Sequence, residues 1–268
     1  MSPRINPRAV AAVVVAGVVV FFEMRMAAAQ VQAQTQPQRS GLEFMSSATQ
    51  ALQKDDSLNP GMLWVGIGED QWRAAAGTTQ RSCAGCHGDA RQSMRGVAAR
   101  YPAFDAALGR PLSLAMRINQ CRSQRQGAAA LAVQSEPLLA LETYVAHQSR
   151  GMPIAPPVDE RLTADRALGR RLFTQRMGQL ELSCAQCHDD HAGARLGGSV
   201  IPQGHATGYP IYRLEWQGMG SLPRRLRACM TGVRAEPFAA DAREWVALEL
   251  FLAQRAAGMA VETPGVRP

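Results

Sequence analysis

The sequence predicts a mainly α-helical protein that contains two tandem domains of the same construction. Two observations carry this prediction: a set of motifs occurs twice in the same order, and apolar residues recur at helical spacing in both copies. We place the domains at residues 45–155 and 156–268 and call them repeat one and repeat two. Their boundary falls in the segment 153-PIAPPVDE-160, where three prolines in five residues prevent a helix and stiffen a linker.

Residues 1–29 have the organisation of an export signal. Arg4 and Arg8 form a basic start, residues 9–22 are an apolar run, and three alanines supply small residues for cleavage after Ala29. An uncleaved membrane anchor is the alternative, but a spanning helix needs roughly 20 apolar residues and this run is shorter. We therefore expect a cleaved signal peptide and a periplasmic protein without a membrane span.

Residues 30–44 follow this signal, and the polar, low-complexity stretch 30-QVQAQTQPQRS-40 predicts a flexible lead-in. The whole chain has a formal net charge of +7, and Lys54 is its only lysine. Arginine can bind carboxylates and oxyanions through two parallel hydrogen bonds, so this charge favours anionic substrates or acidic partners. A nucleic acid partner is not expected for an exported protein.

The internal repeat organises the rest of the chain. Each copy contains, in the same order, a CxxCH motif, a lone cysteine and a closing apolar segment: 83-CAGCH-87, Cys121 and 141-LETYVAHQSRGM-152 in repeat one, and 184-CAQCH-188, Cys229 and 248-LELFLAQRAAGM-259 in repeat two. The spacing between equivalent positions grows from 101 residues at the CxxCH motifs to 108 at the lone cysteines. One insertion of about seven residues between His188 and Cys229 explains this change.

Apolar residues three and four positions apart predict helices in the closing segments 141–152 and 248–259. The stretch 161-RLTADRALGRRLF-173 also predicts a helix, whereas the glycine-rich stretch 193–210 predicts loops. No convincing set of alternating strands is present. Each repeat has about 100 residues, which is small for an independent core, so a bound prosthetic group would help by adding apolar surface.

Cys-x-x-Cys-His is the attachment sequence of c-type haem. Cysteines three residues apart lie on one face of a helical turn, so both sulfurs can form thioethers with one porphyrin and the adjacent histidine can bind its iron. The predicted attachment residues are Cys83, Cys86, Cys184 and Cys187, with His87 and His188 as proximal ligands. A thioredoxin-like redox pair would need a βαβ pattern, and a zinc site usually spaces its CxxC pairs by about 15–20 residues. We therefore predict two covalently bound haem c groups, one in each of two tandem cytochrome c-like helical domains.

The residues alone leave the sixth ligand of each iron open. Met152 and Met259 stand at matching positions in the two repeats, and so do Cys121 and Cys229. The lone cysteines are compatible with iron ligation, with a Cys121–Cys229 disulfide in an oxidising compartment, or with inert buried thiols. Thiolate ligation would lower the reduction potential well below that of a Met/His haem and would indicate a special redox role.

Several segments together resemble the SoxA family, whose members are the catalytic subunits of the SoxAX cytochrome complex of bacterial thiosulfate oxidation. The resemblance covers nearly all of the chain after the predicted signal. It is carried by 59-NPGMLWVGIGEDQW-72, CAGCH, the Cys121 segment, 150-RGMP-153, CAQCH and 224-RRLRACMTGVRAEPF-238. Both CxxCH motifs are intact, as in the dihaem form of this family.

The resemblance also implies roles for individual residues. The axial ligands that it implies are His87 and Cys121 for haem 1, and His188 and Cys229 for haem 2. It further implies that Cys229 is the active-site residue, carried as a persulfide, and that Arg225, one helical turn before it, contacts the substrate. Arg117 stands at the same spacing before Cys121, so pairing with a haem propionate stays open as the role of Arg225.

The activity implied by the resemblance is that of an L-cysteine S-thiosulfotransferase. Such an enzyme joins thiosulfate to a cysteine of the carrier protein SoxYZ, and two electrons pass to a cytochrome c acceptor. A SoxX-type monohaem cytochrome c is the implied partner in a heterodimer. Two alternatives remain: a dihaem electron carrier ligated by Met152 and Met259, and a thiosulfate dehydrogenase, which couples two thiosulfates to tetrathionate.

Overall fold

Helices are the predominant regular structure of the computed structural model, which describes residues 37–268; the predicted signal peptide and the first part of the lead-in lie outside the described residues. The α-helices of this part are α1 Ser47–Lys54, α2 Met62–Arg73, α3 Cys83–His87, α4 Ala90–Ser93, α5 Leu114–Cys121, α6 Glu136–His147, α7 Thr163–Thr174, α8 Leu222–Gly232 and α9 Arg243–Arg255. Short 3-10 helices occur at Gly41–Phe44, Ala98–Arg100 and Glu160–Leu162, and π-helical turns at Arg122–Gln126 and Gln186–Asp190. The predicted mainly α-helical class is confirmed.

The strands of the described residues are two or three residues long. β1 Ala103–Asp105 pairs antiparallel with β2 Arg110–Leu112, and β3 Arg195–Leu196 pairs antiparallel with β4 Ser199–Val200. The strand β5 Ile211–Arg213 lies between the antiparallel β6 Gly218–Gly220 and the parallel β7 Gly265–Arg267. Sequence analysis found no set of strands, because strands this short show no alternation of apolar and polar residues.

Each repeat is built around a crossing of two helices, α2 with α6 in repeat one and α7 with α9 in repeat two. Glycine lies at each crossing point. A Cβ on Gly68 would stand 2.2 Å from the carbonyl oxygen of Ala140, and one on Gly169 would stand 2.0 Å from that of Ala247. Aromatic rings pack beside both crossings: Trp72 on Tyr144, with ring centroids 6.0 Å apart, and Phe173 on Phe251, with ring centroids 5.3 Å apart. The duplicated closing segments therefore supply the second helix of each pair.

The observed helices begin and end earlier than the sequence predicted for the closing segments. The helix predicted in 141–152 is α6, which ends at His147, and the helix predicted in 248–259 is α9, which ends at Arg255. Pro137 lies in the first turn of α6, where its missing N–H removes no helical hydrogen bond. The helix predicted at 161–173 is confirmed as a 3-10 turn followed by α7.

A hairpin and the helix after it also recur. The β1–β2 hairpin leads into α5, and the β5–β6 hairpin leads into α8. Ser113 caps the first of these helices by accepting a hydrogen bond from the Met116 backbone N–H, and Ser221 caps the second by accepting from the Arg224 N–H. Both hairpins join their helix with the same spacing, so positions along them can be compared residue by residue.

The insertion in repeat two lies between the CxxCH histidine and this hairpin. Tyr101, just before β1, follows His87 by 14 residues, whereas Tyr209, just before β5, follows His188 by 21. The inserted stretch holds the β3–β4 hairpin, within a segment that the sequence predicted as loop. Repeat two therefore carries an additional element directly after its CxxCH motif.

The two repeats meet through equivalent segments. The Gly151 N–H donates to the Val261 carbonyl at 2.8 Å, and the Ile154 N–H donates to the Met259 carbonyl at 2.8 Å. The closing helix of each repeat also packs on the hairpin of the other, α6 on β6 and α9 on β2. These contacts place both repeats in one compact unit, residues 39–268.

A cavity of about 650 Å³ lies between the repeats. Glu142 of α6 and Glu249 of α9, which are equivalent positions, both line it. Apolar side chains such as Leu138, Trp245 and Val246 supply much of the remaining lining. The pair of carboxyl groups therefore faces an interior space rather than the outer surface.

Residues 40–44 correct the predicted extent of the flexible lead-in. Gly41–Phe44 is a 3-10 helix, and Ser40 and Leu42 are buried. The Ser40 hydroxyl donates to the Glu262 carboxylate at 2.5 Å. This end of the lead-in packs on the C-terminal segment, a long-range contact that local composition cannot indicate.

Within residues 37–268, no helix is both long and apolar enough to cross a membrane.

Candidate haem sites and the lone cysteines

The CxxCH motif of repeat one forms a single short helix, α3. Ser82 caps it by accepting a hydrogen bond from the Gly85 N–H, and Gly88 ends it with a positive φ of 68°. The His87 ring lies against Trp72 of α2, with centroids 5.7 Å apart. Cys83 packs on the apolar core of repeat one, whereas Cys86 is exposed.

The CxxCH motif of repeat two ends in a π-helical turn that contains His188. Ser183 and Gln186 form a reciprocal cap, each side chain accepting from the backbone N–H of the other. Nδ1 of His188 lies 2.7 Å from the carbonyl oxygen of Pro202. Because a carbonyl can only accept, Nδ1 carries the proton and Nε2 keeps a lone pair for a metal.

Each lone cysteine lies beside the CxxCH motif of its own repeat. Burial raises the pKa of Cys83, and the nearby Cys121 sulfur adds to this rise. Burial likewise raises the pKa of Cys184 to about 11, with a further contribution from Cys229. All six cysteines are free thiols, so the alternative of a Cys121–Cys229 disulfide is not observed.

The donor set of each site fits a covalently attached haem. Each site combines two unpaired thiols at helical spacing, an adjacent histidine and a third sulfur. Apolar side chains pack beside them: Met94, Val97 and Ile118 near Cys83, and Leu222, Leu226 and Phe238 near Cys184. The described residues contain no group of three or more His, Cys, Asp or Glu side chains placed to hold a metal ion.

The two matching methionines lie in the contact between the repeats. Met259 packs in an apolar cluster with Ile154, Ala256 and Val261, and Met152 packs against Gly96. Neither methionine belongs to the clusters that contain Cys83 and Cys184. These positions favour the lone cysteines over the methionines as sixth ligands.

The arginines before the two lone cysteines have different surroundings. Arg117 makes an ion pair with Asp105 at 2.7 Å, and it also donates to Tyr101 and Gln120. Within the described chain, the Arg225 side chain makes no salt bridge and no hydrogen bond. The geometry therefore leaves the Arg225 guanidinium available to an anion.

Electrostatic contacts place Arg225 beside the other groups of the second site. Burial lowers the pKa of His188, and the positive charges of Arg225 and Arg255 lower it further, against the hydrogen bond to Pro202. Burial raises the pKa of Tyr209 to about 12, with Arg225 opposing this rise and Cys229 adding to it. Arg225, His188, Tyr209 and Cys229 therefore share one electrostatic environment.

Arg255 is a site residue that sequence analysis missed. It lies at the end of α9 and donates to Asp189 at 2.6 Å and to the Gln203 carbonyl at 3.1 Å. Its guanidinium also stands 4.5 Å from the centroid of the Phe173 ring. The equivalent residue of repeat one is Gln148, and this gain of charge is the signal that could have found it.

Comparison with known proteins gives a consistent result. Residues 67–154 and 168–261 each match the family described as SoxA/TsdA, cytochrome c domain. The chain is 39% identical over 229 residues to the L-cysteine S-thiosulfotransferase subunit SoxA of Pseudaminobacter salicylatoxidans, covering 85% of this chain and 80% of that protein. It is 36% identical over 228 residues to the protein of the same name from Paracoccus pantotrophus, covering 85% and 78%.

A solved structure shares the fold. The crystal structure of SoxXA from P. pantotrophus matches with a TM-score of 0.85 and 34% sequence identity, and the match covers 90% of both chains. Two cytochrome c domain matches in one chain agree with the duplication found in the sequence and with the paired helix crossings of the fold.

Proposed function

The chain belongs to the SoxA/TsdA cytochrome c domain family, and we propose that it is a periplasmic dihaem L-cysteine S-thiosulfotransferase subunit that joins thiosulfate to a cysteine of a carrier protein. Haem c binding follows from the family, while two haems are supported by two intact CxxCH motifs. The single observation that carries the proposal is the second site, where a lone thiol lies beside a CxxCH motif and an arginine without an ion-pair partner in the described chain.

The haem-binding residues follow from the repeated geometry. Thioether attachment would use Cys83 and Cys86 in repeat one, and Cys184 and Cys187 in repeat two. We propose that His87 and Cys121 would hold the iron in repeat one, and that His188 and Cys229 would hold it in repeat two. Haem bound in repeat two would supply the acceptor that carries electrons away from the reacting sulfur.

The reaction balances as an oxidation. A carrier thiol (R–SH) and thiosulfate give R–S–S–SO₃⁻, one proton and two electrons, so one sulfur–sulfur bond forms and one S–H bond breaks. The electrons pass to a cytochrome acceptor. Cys229 takes part through its sulfur. Its thiolate first bonds to the outer sulfur of thiosulfate, and the two electrons released in that step pass to the acceptor. The carrier thiolate then attacks that same sulfur and releases the Cys229 thiolate, with no further change of oxidation state.

Arg225 has the properties that this reaction needs for its anionic substrate. Thiosulfate carries two negative charges, and a planar guanidinium binds the oxygens of a sulfonate group through two parallel hydrogen bonds. Arg225 is one turn before Cys229 on α8, so both side chains lie on one face of that helix. An arginine on the same helix face as the reacting sulfur would need little reorganisation when the substrate arrives.

The partners that we propose come from the same relatives. The matching crystal structure contains SoxX together with SoxA, which supports a heterodimer with a SoxX-type monohaem cytochrome c. SoxYZ is the carrier implied by the activity, and a cytochrome c is the electron acceptor. Export is supported by the basic and apolar start of the chain.

The function is tested with Cys229→Ala in the purified holo-complex, and Cys121→Ala is the matched control. We expect wild-type protein to add one thiosulfate to the carrier, as seen in the intact mass of the carrier. Cys229→Ala should lose this transfer while both haems stay attached, and Cys121→Ala should retain it. Transfer at the wild-type rate by Cys229→Ala would contradict the role of Cys229. Tetrathionate formation from thiosulfate alone, without transfer to the carrier, would indicate a thiosulfate dehydrogenase instead.

A further inference from the structure

The β1–β2 and β5–β6 hairpins differ in charge at one equivalent position. Asp105 is the last residue of β1, and Arg213 is the last residue of β5. Each is the third residue of its strand, and each pairs with the first residue of the returning strand, Arg110 or Gly218. Because side chains alternate along a strand, Asp105 and Arg213 project to the same side of their hairpins.

In repeat one this position fixes the arginine of the next helix. The Asp105 carboxylate is buried and lies 2.7 Å from the Arg117 guanidinium. Arg225 is the equivalent of Arg117, and the strand position that carries the Asp105 carboxylate in repeat one carries Arg213 in repeat two. The Gln120 side chain, which also accepts from Arg117, corresponds to Ala228. Repeat two has therefore lost two of the three side-chain acceptors that hold Arg117, while the third, Tyr101, corresponds to Tyr209, and it has gained a second positive charge.

Only some of the hydrogen-bond donors of the Arg213 side chain have an acceptor. Its side chain is 13% exposed, and one guanidinium nitrogen donates to Glu215 at 2.7 Å. The Glu215 side chain is 52% exposed, so this surface ion pair offsets little of the charge. Nε of Arg213 is buried and has no hydrogen-bond partner among the described residues. A buried N–H without an acceptor is energetically costly, and an anionic oxygen can accept its hydrogen bond.

Arg213 also shares its surroundings with the reacting groups. The charges of Arg225, Cys229 and Arg213 all act on the Tyr209 side chain. Arg267, the partner of Arg213 in the β5–β7 pairing, is already committed to Gln53 and Glu262. Arg213 and Arg225 therefore both have guanidinium donors that no acceptor among the described residues fills.

We propose that Arg213 and Arg225 together form a binding site for a dianion, in which Arg213 determines the selectivity of repeat two for a doubly charged sulfur oxyanion. This inference rests on the function proposed above and adds a residue to it. Two guanidinium groups match two negative charges and several oxygens better than one does. A haem propionate offers the same chemistry, since it is also an anionic oxygen ligand, and the test must separate these two sources.

The test measures thiosulfate binding to the purified holo-complex by calorimetry, so it does not depend on turnover. Arg213→Gln should raise the Kd for thiosulfate about tenfold. Arg213→Asp should raise it further, because the new carboxylate would pair with Arg225 as Asp105 pairs with Arg117. The double variant Arg213→Gln/Arg225→Gln should lose less than the product of the two single effects, because both groups bind one ligand. Arg227→Gln is the matched control: Arg227 is exposed on the same helix as Arg225 and lies over the Trp245 ring at 5.4 Å, away from Trp216, on which Arg213 lies, so its loss should leave the Kd unchanged.

Low-temperature EPR of haem 2 and its reduction potential provide the second readout. Unchanged haem 2 signals in the Arg213 variants, together with the raised Kd, would support substrate binding. Wild-type Kd values in both Arg213 variants would overturn the proposal, and so would a changed haem 2 signal, which would assign Arg213 to a propionate. If wild-type complex transfers no thiosulfate to the carrier, the proposed function fails, whereas the binding measurement still decides the role of Arg213.

Discussion

Arg117 and Arg225 occupy equivalent positions one helical turn before the lone cysteines, but within the described chain only Arg117 has a carboxylate partner, Asp105 at 2.7 Å. The two equivalent arginines therefore differ in their surroundings. Arg117 connects its helix to the β1–β2 hairpin, whereas Arg225 has no ion-pair partner in the described chain. This difference weighs against a purely structural role for Arg225, which the sequence alone could not dismiss.

Arg225→Lys is predicted to weaken recognition of thiosulfate. Lysine keeps the charge but cannot form two parallel hydrogen bonds to one sulfonate group. Since hydrogen bonds to charged groups contribute about 1.5–3 kcal/mol, the KM for thiosulfate should rise roughly 10-fold or more. Steady-state kinetics with saturating carrier protein would measure this change.

Arg117→Lys is the matched control for that substitution. It should leave the KM for thiosulfate unchanged and should lower the apparent Tm, because the Asp105 carboxylate and the Tyr101 hydroxyl lose part of their hydrogen bonding. An equal rise in KM for both variants would mean that the two arginines act through protein structure rather than through substrate.

The sequence predicted the parts of this protein that local pattern specifies. The helix pairs follow from apolar spacing, and the haem attachment sites follow from CxxCH. The difference in charge between Asp105 and Arg213 could not be recognised from the sequence. The two residues can be compared only when β1 and β5 are known to be equivalent strands. Those strands have three residues each and leave no periodic signal.

Other features depend on contacts between distant parts of the chain. Ser40 is buried because Glu262 accepts its hydrogen bond, although its own neighbours in sequence are polar. Arg255 reaches Asp189 and the surroundings of His188 from the far end of α9. Neither contact has a local sequence signature, so the lead-in was predicted too long and Arg255 was missed.

Gly204→Ala is predicted to disturb the orientation of His188. Gly204 has a φ of 73°, and a Cβ there would stand 3.0 Å from Cγ and 3.2 Å from Nδ1 of His188. The methyl group would push the ring away from the Pro202 carbonyl, which accepts from Nδ1 at 2.7 Å. Because this hydrogen bond fixes the ring and its tautomer, the EPR spectrum and reduction potential of haem 2 should change.

Gly193→Ala provides the control for backbone strain. Gly193 lies in the same inserted stretch and has a φ of 90°, but a Cβ there meets no described atom within 4 Å. Both substitutions cost about 1 kcal/mol of backbone energy. Gly193→Ala should therefore lower stability slightly and leave the haem 2 signals unaltered. Identical spectra for the two variants would contradict the proposed contact with His188.

Gly68→Ala is predicted to destabilise repeat one strongly. Its Cβ would overlap the Ala140 carbonyl and the Cβ of Tyr144, which are 2.2 Å and 2.6 Å away, so α2 and α6 would have to separate. Overpacking of this kind typically costs about 1–3 kcal/mol. Gly66→Ala, on the same helix, meets nothing within 4 Å in the described structure and should stabilise it by up to about 1 kcal/mol. Thermal unfolding of the two variants should shift in opposite directions, and a common direction would contradict the close crossing.

Glu142 and Glu249 form a pair of carboxyl groups in the cavity between the repeats. Burial raises the pKa of Glu142 to about 7. Burial, followed by the charge of Glu142, raises the pKa of Glu249 to about 8. Both groups have an ordinary pKa of 4.5. The folded protein therefore holds protons that the unfolded chain releases between about pH 4.5 and pH 8, and the stability contributed by these groups is lost as the pH rises through that window.

Glu249→Gln should remove much of this loss, because a neutral amide needs no proton to remain uncharged in the cavity. We expect the variant to gain apparent Tm over wild type as the pH rises from 5 to 8, by about 2–4 °C for each kcal/mol of restored stability. Glu244→Gln is the control, since Glu244 lies on the same helix but does not line the cavity. Its difference in Tm from wild type should stay constant across the same range. Parallel pH profiles for wild type and Glu249→Gln would mean that the carboxyl pair is hydrated and titrates as it does in the unfolded chain.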